Sequence, residues 1–229
     1  MTMSRKLLPS VLLGAALLAC SAPPPPRDTT PTATPSATGP VADGDLAPVP
    51  APSGVVARGR MKSPATTVRS LVELTGGGAE AAEPLIRGAL AEVFGRRMLR
   101  LDVDGRALAD QIALDAPIDV VVAVPEGDRP EPMYAISVAV KSLEGAADAA
   151  GAAATPTGNG GFKLGGKKAR GACNLTKAAG PAAARLVCGG SERDLEILGP
   201  YMARTLAAEP PAGADVVAEI DVAGLDARF

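Results

Sequence analysis

Several groups of residues in this chain have types and spacings that could do chemistry. Asp102-Val103-Asp104-Gly105 sets two carboxylates two positions apart, where one could attack and the other serve as acid or base. The twelfth position of the run is Ala113 rather than a calcium-binding Glu. A polar turn explains the run without chemistry. Gly161-Phe-Lys-Leu-Gly-Gly166-Lys167-Lys168 approaches the phosphate-cradling pattern G-x-x-x-x-G-K-[S/T]. Lys168 stands where the magnesium-binding hydroxyl belongs, and no buried strand precedes the run, so it reads as a Gly/Lys loop leading into an edge strand. Lys163, Lys167, Lys168 and Arg170 form a candidate patch for an anionic polymer or a lipid headgroup; a solvated charged face is the simpler reading. Cys173 and Cys188 lie symmetrically about Gly180-Pro181. A chain folded back there sets the two cysteines directly across a hairpin at bonding distance. Two free buried thiols are the alternative.

Composition narrows the field. The chain has 229 residues, net charge −2 and no His. That removes Ser–His–Asp and Cys–His catalysis, an imidazole base and His-ligated zinc. Carboxylate catalysis needs no His, so a hydrolase using Asp102, Asp104 or Asp119 stays open as an alternative. No sequence pattern calls for a cofactor or a metal. Hydrophobic residues make up 47% but aromatics only 2%, so the apolar content is chiefly Ala, Val and Leu.

The first twenty residues give an address. Arg5 and Lys6 precede an apolar run over residues 7–19. Thirteen helical residues rise about 20 Å, short of the ~30 Å hydrocarbon core, which fits the apolar region of an export signal. The run ends in Leu17-Leu18-Ala19-Cys20, which resembles the lipobox of bacterial lipoproteins. Leu18 is bulkier than that family usually carries. The resemblance implies cleavage before Cys20, a diacylglyceryl thioether on Cys20 and a third acyl chain on the new amino terminus. Two or more chains hold a protein on a membrane durably. Ser21 in place of Asp implies the outer membrane by the enterobacterial sorting rule. A secretion signal with an incidental Cys is the alternative reading. Export also makes Cys173 and Cys188 oxidisable. Without Arg5 and Lys6, 21 basic and 25 acidic residues leave a net charge of −4, which offers nucleic acid no overall attraction.

Residues 20–53 then read as a lipidated Cys followed by a disordered tether. Ten prolines fall in residues 21–53 among Thr, Ala and Ser, with too little apolar surface to offset chain entropy.

Residues 54–229 read as one α+β domain: an antiparallel sheet with helices packed on one face and a disulfide-linked hairpin. Strands are expected over residues 55–61, 99–101, 118–124, 133–140 and 214–222. Helices are expected after Ser63-Pro64, near Glu83-Pro84, over residues 106–114 and after Ser142. Ser191-Glu192-Arg193-Asp194 resembles a capping box, opening a helix that Gly199-Pro200 must kink.

The last strand echoes the first. Val216-Val217-Ala218, then Ile220 and Val222, parallels Val55-Val56-Ala57, then Gly59 and Met61, with Leu225 where a helix would follow. The expectation is that this strand opens a second copy of the unit, leaving the chain as half of a duplicated protein. The layout resembles uncharacterised duplicated α+β lipoproteins of high-GC Gram-negative bacteria, with similar stretches at Arg185-Leu-Val-Cys-Gly-Gly and Leu198-Gly-Pro-Tyr-Met-Ala-Arg-Thr-Leu206. That family implies no activity. The functional expectation is a lipid-anchored, non-enzymatic binding or scaffolding protein with an envelope protein or polymer as partner. A carrier of apolar ligands is the other alternative.

Overall fold

The computed structural model describes residues 46–97, 101–126, 131–165, 169–210 and 213–226. Cys20, the leader, the tether as far as residue 45, Lys167 and Lys168 lie outside the described residues, as do positions 99 and 100 of the strand expected at 99–101. Leu101 itself is buried in a loop.

Strand β1 (Val55–Met61) runs into α1 (Pro64–Leu74), whose start follows from sequence. Ser63 Oγ accepts from Thr66 N, and Pro64 occupies the first turn, where its missing N–H costs nothing. Helices α2 (Ala82–Glu92) and α3 (Gly105–Asp110) follow, then β2 (Ile118–Ala123) and β3 (Met133–Ala139). Ser142 caps α4 (Leu143–Ala150). Two short strands, β4 (Ala154–Pro156) and β5 (Phe162–Leu164), flank the glycine-rich turn. The hairpin of β6 (Ala172–Lys177) and β7 (Ala184–Gly189) leads to α5 (Glu192–Pro200), and β8 (Val216–Ile220) and the short α6 (Val222–Asp226) close the described chain.

The eight strands form one sheet in the order β4-β5-β6-β7-β3-β2-β1-β8, and every pairing is antiparallel. Cys173 sits directly opposite Cys188, and a disulfide joins them with Cα atoms 4.1 Å apart. The turn between these strands uses Gly180 at φ +86°, and a Cβ there would collide with the Ala207 carbonyl oxygen. Gly180→Ala is therefore expected to cost about 1–3 kcal/mol, read as a lower urea midpoint at unchanged slope.

Helices cover both faces of the sheet, which corrects the expectation of one. Side chains alternate across each strand, and the two cores divide by parity. Leu186 and Cys188 of β7 pack with Leu108, Leu143 and Ala146 of α3 and α4. Val187 between them packs instead with Leu195, Leu198, Met202 and Leu206, from α5 and its continuation. A kink is expected at Pro200; what the structure shows there is a change of helix type, the α-helix passing into a wider π turn over Tyr201–Thr205 where the proline lacks a donor.

The folded region also begins earlier than residue 54. Val49 packs against the α5-side core, where its N–H donates to Thr205 Oγ1 at 2.9 Å and its carbonyl accepts from the same hydroxyl at 2.6 Å. One apolar side chain and one hydroxyl suffice to hold a segment whose proline content alone reads as tether.

Candidate functional site

The residues singled out for chemistry are mostly occupied with structure. Asp104 is the N-cap of α3 and accepts from Arg106 N and Ala107 N. Lys163 lies on β5, inside the sheet rather than in a loop, and its ammonium meets Glu192 at 2.6 Å. Arg170 and Lys163 share a groove of about 560 Å³ with Ser191 and Glu192. A carboxylate thus stands beside Lys163 and Arg170, the two described members of the expected anion patch. Cys173 and Cys188 are buried in their bond.

Sequence reasoning named Asp119 as a candidate catalytic carboxylate but missed the polar centre it holds on the α5-side face. Asp119 of β2 is 1% exposed and receives two guanidinium groups. Arg60 Nε donates to its Oδ1 at 2.5 Å, and Arg185 Nη2 lies 2.9 Å from Oδ2 in ion-pair contact, outside hydrogen-bonding alignment. Arg185, itself 1% exposed, also donates to the Pro117 and Ser137 carbonyls. Burial pushes the Arg185 guanidinium down from its usual range, and Asp119 opposes the fall. Arg185 Nε and Ser137 Oγ are buried without a hydrogen-bond partner among the described residues.

Arg60 continues the network outward, donating to the Leu206 and Glu209 carbonyls and so fastening the chain after α5 to β1. Beside it, Arg58 contacts Glu209 at 3.3 Å and Glu219 of β8 at 2.5 Å. Three arginines face three carboxylates, so this centre is charge-balanced and holds β8 and its approach segment in place. Each carboxylate oxygen of Asp119 faces a guanidinium in this centre, Oδ1 that of Arg60 and Oδ2 that of Arg185. The Arg58 hydrogen bond holds the Glu219 carboxyl below the usual carboxylate range. The stabilisation is present above the ordinary Glu pKa and is lost as pH falls through the lowered value. Solvent screens this exposed pair, so the effect is small. A carbon-13 titration of the Glu219 carboxyl should show the depressed midpoint, and Arg58→Gln should return it to the ordinary value; a midpoint indifferent to Arg58→Gln would remove this attribution.

The other face of the same strands is open. Along β2, Asp119, Val121 and Ala123 are buried while Ile118, Val120 and Val122 are only half-buried. Tyr134, opposite Val122, is 38% exposed. On β8, Val216 and Ile220 are 52% and 58% exposed, next to Met61 and Ala57 of β1. An apolar stretch of sheet that ends in an exposed edge strand is a surface suited to contact with another molecule. Nearby, α1 and α2 expose Leu71, Leu74 and Leu85.

A separate groove of about 340 Å³ runs between α5 and β5–β6, where Leu46, Phe162 and Leu175 meet Asn159, Asn174 and Arg204. Its mixed lining does not single out an apolar ligand. No family model matches the chain, and neither a curated protein nor a solved structure matches it.

Proposed function

We propose that this chain is a lipid-anchored cell-envelope protein, held at the outer membrane through Cys20, whose α+β domain is a non-enzymatic binding or scaffolding module. The observation that carries the binding part is the open apolar face of β2, β1 and β8, stiffened from behind by the Arg58–Arg60–Asp119–Arg185 network. A charge-balanced ion network fixes strand positions without consuming the exposed face. The partner is an envelope protein or polymer.

The address rests on the sequence Leu17-Leu18-Ala19-Cys20 and the charged, apolar leader before it. Among the described residues, no helix is long and apolar enough to cross a membrane. Intact mass of the protein extracted from bacterial membranes tests the address. The expected mass fits residues 20–229 plus acyl chains and rises by about 2 Da on reduction of the Cys173–Cys188 bridge. An unacylated mass, or one retaining the first nineteen residues, would remove the anchor from the account.

A further inference from the structure

Strand β8 pairs with β1 on one side, and among the described residues it ends the sheet on the other. Lys62 N donates to the Asp215 carbonyl and Asp221 N to the Val56 carbonyl, so odd-numbered residues of this strand turn their backbone groups toward β1. Alternation then turns the N–H and C=O of Val216, Ala218 and Ile220 outward. Those three residues also carry the side chains of the open apolar face.

The register adds a second observation. Pairing matches Ala57 with Ile220, Arg58 with Glu219 and Gly59 with Ala218. Superposing the sequence echo sets Val55 on Val216, Ala57 on Ala218 and Gly59 on Ile220. Under that superposition the pairing is two-fold symmetric about Arg58 and Glu219. Each strand then leads into a helix, β1 into α1 and β8 into α6. By this equivalence β8 is a counterpart of β1, and β1 has strands on both of its edges.

Charge defines what fits. Asp215, Glu219 and Asp221 punctuate the strand, and no cation lies between them. Its inner neighbour answers this pattern with Arg58 opposite Glu219 and small or apolar residues opposite Val216, Ala218 and Ile220. A second copy of this chain pairing edge to edge through Ala218 would set Asp215 against Asp221 twice, which like-charge repulsion disfavours.

We propose that the outer edge of β8 takes up an extended strand of another protein, antiparallel, with apolar residues alternating with Arg or Lys. This deepens the binding role proposed above and rests on it. Main-chain hydrogen bonds to Val216, Ala218 and Ile220 supply the contact, and Asp215 and Asp221 select a basic strand, Glu219 being already answered by Arg58.

The probe is a capped peptide with the β1 sequence, Val-Val-Ala-Arg-Gly-Arg-Met, set against the same peptide with both arginines replaced by glutamate. The intact chain is titrated with each, followed by amide exchange and by fluorescence anisotropy of a labelled peptide. The basic peptide should protect the amides of Val216, Ala218 and Ile220 and bind at least tenfold more tightly than the acidic one. Ala218→Pro should weaken it at least tenfold, because that N–H points away from β1 and its loss leaves the β1–β8 ladder intact. Equal binding of both peptides, or binding indifferent to Ala218→Pro, would overturn the proposal. So would a concentration-dependent dimer abolished by Ala218→Pro, which would assign the edge to a second copy. A native partner lost with Ile220→Glu but retained with Ala218→Pro would leave the binding role standing and refute the edge alone.

Discussion

Replacing Asp119 by alanine lowers the unfolding free energy by about 3–5 kcal/mol and Tm by roughly 10 °C. The carboxylate is 1% exposed and is the shared partner of Arg60 and Arg185. Removing it leaves one guanidinium buried, with Nε already lacking an acceptor, and a second nearly so. Desolvated charge without a counter-charge is among the costliest defects a core can hold. The pair should also be coupled: Asp119→Ala combined with Arg185→Leu should cost less than the two single changes together, by about 0.5–3 kcal/mol. Chemical denaturation of the three variants measures this, and a loss under about 1 kcal/mol for Asp119→Ala would show that water reaches the network. Because Arg58 and Arg60 lie two positions apart on β1, opposite Glu219 and Val217 of β8, the same substitution should speed amide exchange in β8 more than in β6.

Removing the disulfide has the second large effect. The bridge closes a loop across a sequence separation of 15, which corresponds to about 3 kcal/mol of unfolded-state entropy. It also lies inside the core shared by β6, β7, α3 and α4, with Cys173 fully buried. Cys173→Ala with Cys188→Ala should therefore lower stability by about 3 kcal/mol under oxidising conditions and leave it insensitive to reductant. A wild-type protein equally stable before and after complete reduction would contradict this assignment.

Both effects sit in the sheet, yet only one was legible in the sequence. The hairpin could be read because two cysteines flank Gly180-Pro181 at equal distances, and hairpin geometry turns that symmetry into a contact. Strands β2 and β3 were legible as strands over 118–124 and 133–140, and the caps at Ser63, Ser142 and Ser191 from hydroxyls ahead of apolar periodicity. Asp119 and Arg185 were not, because a charged residue in a strand reads as solvent-facing until the order of strands sets it beneath a helix. Nothing local says that Leu195, Leu198, Met202 and Leu206 pack on the face opposite α3 and α4, so the covered faces were miscounted. Three-residue strands such as β4 and β5 are shorter than any periodic signal. The Gly/Lys run concealed β5 and with it the Lys163–Glu192 pair. At the other edge, the strand at 216–220 was legible as a strand, but its antiparallel seat on β1 was not.

The binding role proposed for the β2–β1–β8 face is tested most directly by site-specific photo-crosslinking in bacterial cells that produce the full chain. A photoreactive residue is placed at Ile220 in one strain and at the exposed Glu144 of α4 in another. Position 220 should give one discrete, reproducible adduct and position 144 none. Equal labelling from both positions, or none from either, would contradict the binding role.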